Sequence, residues 1–120
     1  MWMSALILVL LFSIPFPAAA QQTDRTKVTN TTVSCGAASA TALAATDNIN
    51  FILFVNDHAT QVIYLANDGT TAGPTATLNN GIRINAAGGA VMFDVKVPIG
   101  GWTCIASGAA TPLLISAGTK

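Results

Sequence analysis

The chain reads as all-β, a small antiparallel sandwich of the jelly-roll kind, and three observations carry that reading. Runs of about four to eight residues rich in Val, Ile, Thr and aromatic side chains recur beyond residue 26. Polar and glycine-containing turns separate them every eight to twelve residues or so, the spacing of sandwiches and barrels. Hydrophobic residues make up 52% of the chain and charged residues only 8%, so most of its faces must pack against something.

Residues 1–20 stand apart from this pattern. An apolar run over residues 5–12 leads to Pro15, Pro17 and the small triplet Ala18, Ala19 and Ala20, which is the layout of a secretory signal, although no Lys or Arg precedes the run. The competing reading is a retained membrane anchor. A helix over residues 2–14 would be roughly 20 Å long against a hydrocarbon core of about 30 Å, which favours the cleaved signal. The expected organisation is therefore a signal or anchor segment at 1–20 and one sandwich domain at 21–120. Membrane contact through residues 1–20 is expected only if they are retained.

Lys27–Cys35, KVTNTTVSC, is the first predicted strand, rich in Thr and Val. Residues 36–46, GAASATALAAT, carry helix-favouring alanines, but Thr41, Thr46 and the bounding Gly36 and Asp47 suit an extended segment nearly as well. Ile49–Asn56, INFILFVN, is the most hydrophobic run of the predicted domain and reads as a central strand buried on both faces. Residues 60–68 form the next strand, and the turn around Asn56, Asp57 and His58 predicts that the two make a hairpin. Residues 68–81 read as a surface loop, with Gly69, Gly73, Pro74 and an Asn80-Gly81 turn, and a short edge strand over 76–78. The remainder alternates strand and turn as IRIN, AAGG, AVMFDVKV, PIGG, WTCIAS, GAAT and PLLISAG. Val91, Phe93, Val95 and Val97 alternate with Met92, Asp94 and Lys96, which predicts one half-buried strand through residue 97. Trp102, Cys104 and Ala106 are expected on one face of the strand after it.

Cys35 and Cys104 are the only cysteines, and in an exported chain an even count predicts one disulfide. Neither they nor His58 show the spacing of a metal site. The basic residues Arg25, Lys27, Arg83, Lys96 and Lys120 are scattered singly and balance five Asp, so the composition gives no footprint for nucleic acid. His58, the single histidine, has no nucleophile in an activating context, and its Asn-Asp-His setting assigns it to a turn. Ser107 lacks the nucleophile-elbow pattern. Asp57, Asp68 and Asp94 could supply oxygen ligands to a hard cation, but Asp68-Gly69 reads more simply as a turn. No catalytic, cofactor or metal residues are assigned. Asn30-Thr31-Thr32 matches the N-glycosylation acceptor pattern, relevant in a eukaryotic secretory pathway. Trp102 and Tyr64 offer a sugar-stacking platform, against a core role for both.

Residues 48–118 resemble a small β-sandwich domain of tailed-phage virion proteins, of the head-decoration, head-fibre and tail-associated kind. The matching features are the Asn56-Asp57 turn, residues 62–65, Ile82-Arg83-Ile84, the Gly88-Gly89 turn, Phe93-Asp94, Val97-Pro98, and Ala106-Ser107-Gly108 with Thr111. The resemblance implies a non-enzymatic structural module that docks on other protein subunits, among them capsid or tail proteins or further copies of itself. Its location would be a virion, or the periplasm or exterior if residues 1–20 direct export. The alternative is an exported carbohydrate- or surface-binding domain using the 68–81 loop.

Overall fold

The computed structural model describes residues 27–120, so the signal or anchor at 1–20 and the domain boundary at 21 lie outside the described residues. Eight strands form in chain order: β1 (Lys27–Cys35), β2 (Ala40–Leu43), β3 (Ile49–Asn56), β4 (Ile63–Ala66), β5 (Ile82–Ile84), β6 (Gly89–Phe93), β7 (Trp102–Ala106) and β8 (Thr111–Thr119). They pair antiparallel into two four-stranded sheets, β1-β8-β3-β6 and β2-β7-β4-β5. That strand order is the jelly roll: successive strands alternate between the sheets except for β4 and β5, which are neighbours in the second, and the chain winds through them as two Greek keys. The fold class expected from the sequence is the one observed.

Alternation explains which side chains meet. On the first sheet Cys35, Ile52, Phe54, Leu113 and Ile115 turn inward, and on the second Ile63, Leu65, Ile84, Trp102, Cys104 and Ala106 face them. Trp102 sits at the centre, with its ring 5.1 Å from Phe54 and 5.2 Å from Phe93 between centroids, both tilted. Cys35 and Cys104 are bonded, Cα to Cα 5.7 Å, and tie the first sheet to the second through their inner faces.

Three local expectations are corrected. β3 and β4 are not a hairpin, because they lie in different sheets. The physical reason is Asn56, which is fully buried at the end of β3. Its Nδ2 donates to the Gln61 carbonyl at 2.7 Å and to the Ile84 carbonyl at 3.2 Å, and its Oδ1 accepts the His58 N–H at 3.1 Å. This amide therefore satisfies the backbone at the crossing from one sheet to the other, where ladder partners are missing. Second, residues 76–78 form no strand; Ala76 is instead buried. Third, the run from Val91 does not continue to Val97 as a strand. β6 stops at Phe93, the chain bends over residues 94–96, and Val95 is 86% exposed.

The Asn56 hub gives a direct prediction. Asn56→Leu keeps the volume near constant but leaves the Gln61 and Ile84 carbonyls without their donor, and is expected to cost about 3 kcal/mol. Urea unfolding followed by Trp fluorescence measures it, and a loss under about 1 kcal/mol would show that the crossing is held by other contacts.

Candidate docking surface

The two sheets present very different outer faces. On the second sheet, Tyr64, Ala66, Thr103 and Ile105 point away from the core, and the chain covers them with its own 67–81 loop. Ala76 packs on Tyr64 and Ile105, its N–H donates to Ser39 Oγ at 2.8 Å, and Thr103 Oγ1 donates to the Pro74 carbonyl at 2.6 Å. The Tyr64 hydroxyl donates to Asn79 Oδ1 at 2.8 Å. Glycines allow the loop to lie this close: a side chain on Gly73, whose φ is +72°, would come 2.7 Å from the Gly101 carbonyl oxygen.

No comparable cover from the described residues lies over the first sheet. Register places Val28, Asn30, Thr32 and Ser34 of β1 on its outer face, with Pro112, Leu114, Ser116 and Gly118 of β8, Phe51, Leu53 and Val55 of β3, and Ala90 and Met92 of β6. None of these is charged. Val28, Met92 and Leu114 are 51%, 56% and 40% exposed. A solvated outer sheet face ordinarily carries charged and polar residues; this one has no charge, and its polar side chains, Asn30, Thr32, Ser34 and Ser116, lie on β1 and β8 beside an apolar area around Leu53, Val55, Met92 and Leu114.

The edges of the first sheet differ as well. β6 has five residues and ends at the bend carrying Asp94 and Lys96, whereas β1 pairs with β8 without interruption over nine residues and, among the described residues, has no strand on its other side. Lys27 through Thr32 are all exposed.

The residues singled out from the sequence fall into place around this frame. His58 shapes the crossing between the sheets: its Nδ1 accepts the N–H groups of Thr60 at 3.2 Å and Gln61 at 3.0 Å, and its carbonyl accepts the Ala87 N–H at 2.7 Å. With that nitrogen turned to the backbone, the imidazole serves the turn assigned to it. Asp57, Asp68 and Asp94 sit in three separate connections, and among the described residues no three His, Cys, Asp or Glu side chains gather as a metal site. Asp68 opens a turn in which the Thr70 hydroxyl and then the Thr70 N–H, at 2.6 and 2.9 Å, hold its carboxyl below the ordinary value. Ser107 Oγ accepts the Val62 N–H at 3.0 Å. Asn30 is exposed on β1, where its Oδ1 accepts the Ser116 hydroxyl at 2.6 Å.

Burial decides for the core role over the sugar-stacking one. Trp102 is 1% and Tyr64 9% exposed, so neither ring offers a face to a ligand. A groove of about 520 Å³ does open between β4, β5, Phe93, Pro98 and the 67–81 loop, with Trp102 at its floor. In its lining, Asn67 is already engaged: its Nδ2 donates to the carbonyls of Ile99 and Gly101, both at 3.0 Å, and its Oδ1 accepts the Gly69 N–H at 3.2 Å. What sequence reasoning missed was the outer face of the first sheet. The signal was present in INFILFVN, where Phe51, Leu53 and Val55 occupy the positions that a half-solvated strand fills with polar residues.

No protein-family model matches the chain, and none of the curated proteins does. A similar solved structure is described as "Bacillus endospore appendages form a novel family of disulfide-linked pili"; it shares 13% identity over 80% of this chain and 90% of that chain, with a TM-score of 0.42. The jelly-roll assignment rests on the strand order itself.

Proposed function

We propose that this chain is a non-enzymatic structural subunit that works outside the reducing cytoplasm and docks on other protein subunits through the outer face of its first sheet. The observation that carries this reading is the asymmetry of the two faces. The described residues fold a loop over one sheet and leave the other uncharged, with an apolar area over β3, β6 and β8. Burying such a face at about 25 cal/mol per Å² is favourable, and leaving it in water invites non-specific association. The Cys35–Cys104 bond supports an exported setting, where disulfides persist. The residue resemblance to phage virion sandwiches supports a particle as the host structure, in which this face would meet a capsid or tail subunit. The jelly roll is used by capsid and lectin domains alike, so the fold alone does not choose between partners.

Lysine at Leu53 or Leu114 tests the reading, because each places a charge in the middle of the face without touching the core. Particles or surface fractions from the native source are expected to retain the unaltered chain, and retention of either variant to fall at least tenfold at an unchanged thermal midpoint. Equal retention of the variants would overturn the proposal.

A further inference from the structure

We infer that β1 is a self-pairing edge, joining the β1 of a second copy antiparallel about a two-fold axis at Thr31, so that two first sheets become one continuous sheet of eight strands. This rests on the docking reading above and adds a specific occupant at the edge of the same sheet.

An edge strand turns alternate N–H and C=O groups outward, and sheets normally blunt such edges by shortness, bulges, charge or proline. Three of the four edges here are blunted in these ways. β2 has four residues and a register shift between Thr41 and Leu43; β5 has three residues with exposed Arg83; β6 has five and runs into Asp94 and Lys96. β1 alone is left long, with nine residues spanning about 30 Å, no proline, no bulge and a single charge at its first position, Lys27.

What fits that edge is another extended strand of matching length, and among the described residues of a second copy only β1 offers one at an open edge. The sequence is compatible with itself in one sense. Antiparallel pairing about Thr31 sets Thr31 against Thr31, Asn30 against Thr32, Thr29 against Val33, Val28 against Ser34 and Lys27 against Cys35, so no like charges meet. Parallel in-register pairing would instead set Lys27 beside Lys27. A two-fold centred on a residue also keeps equivalent side chains on the same face. The apolar outer faces of both copies therefore merge into one surface of twice the area.

Cysteine scanning reads the register directly, since only Thr31 meets its own equivalent. Under mild oxidation Thr31→Cys is expected to form a covalent dimer, and Val28→Cys none. A mixture of Val28→Cys with Ser34→Cys is expected to cross-link as a heterodimer. Thr31→Pro, at an exposed position, is expected to abolish the concentration-dependent dimer of the unaltered chain in sedimentation velocity while near-UV circular dichroism stays native. Self-cross-linking of Val28→Cys as efficient as that of Thr31→Cys would overturn the inference, as would a dimer unchanged by Thr31→Pro. If Leu53→Lys still releases the chain from its particle in that case, docking through the face survives and only the edge pairing fails. If neither change affects association, both readings fail.

Discussion

Removing the Cys35–Cys104 bond is expected to lower the unfolding free energy by about 4 kcal/mol. The bond closes a loop of 69 residues, and the chain-entropy relation assigns a closure of that length about this much. Domains of this size have a total stability of about 5–15 kcal/mol, so the loss takes a quarter or more of it. For roughly 100 residues each kcal/mol moves the thermal midpoint by about 4–8 °C, which gives a drop of about 15–30 °C. The position in the fold sharpens the expectation. Cys35 ends β1, which among the described residues has β8 as its only strand neighbour, and the bond fastens it across the core to β7, the strand flanked by β2 and β4. Without it, β1 is expected to open before the rest of the sandwich and show the earliest loss of hydrogen-exchange protection. The double variant Cys35→Ala and Cys104→Ala, compared with the unaltered chain with and without reductant, separates loss of the link from loss of the sulfur packing. A midpoint shift of less than about 5 °C would show that the two sheets are held by their apolar contacts alone.

Strand existence was legible in the residues, and pairing partners were not. Ile49–Asn56 could be bounded to the residue, as could the end of the first strand at Cys35, because β-branched and aromatic runs stop at Gly36 and at Asn56-Asp57, both local signals. Whether β3 continues into a hairpin or crosses to the opposite sheet depends on Asn56 reaching Ile84, 28 residues away, and no local pattern contains that contact. The same holds for the 67–81 loop. Its composition announces a polar surface turn, yet Ala76 is buried because Tyr64 and Ile105 on two different strands form a shallow seat for it. The strand from Val91 ends early for a related reason: alternation persists in sequence through Val97, but β3 pairs with β6 only from Ile52 to Asn56, opposite Phe93 to Gly89. Past Phe93 the chain bends away over residues 94–96, although β3 runs on to Ile49 with a register shift between Ile49 and Phe51.

The docking surface shows the opposite relation between pattern and fold. A continuous apolar run was read as burial on both faces, and one face, with Ile52, Phe54 and the polar Asn56, is indeed buried. The other face carries Phe51, Leu53 and Val55, only partly buried by the chain's own residues. The run thus asks for cover on both faces, and the described residues supply it for one. The remaining apolar demand is what an external subunit would satisfy, and hydropathy alone does not distinguish an internal from an external cover.

Trp102→Ala is expected to cost about 3–5 kcal/mol, the range for removing a buried aromatic side chain. Trp102 is 1% exposed and contacts both Phe54 on β3 and Phe93 on β6, so one side chain of the second sheet bridges two strands of the first. Its removal leaves the Phe54 and Phe93 rings without their partner and opens the vacated volume into the groove of about 520 Å³ that Trp102 floors. Water can follow from that side, which places the loss in apolar transfer and aromatic contact more than in an empty cavity. Trp102→Phe separates these contributions. It keeps an aromatic ring between Phe54 and Phe93 and removes the buried indole N–H, which has no hydrogen-bond acceptor in the structure. An unpaired buried donor costs about 1–3 kcal/mol, so its removal offsets part of the lost volume and the net change is expected to stay within about 1.5 kcal/mol. Urea unfolding monitored by far-UV circular dichroism, which does not depend on the deleted fluorophore, measures both variants. Equal destabilisation by alanine and phenylalanine would mean that the indole itself, through a partner of its N–H, holds the two sheets together, and the aromatic bridge would then not be the centre of the core.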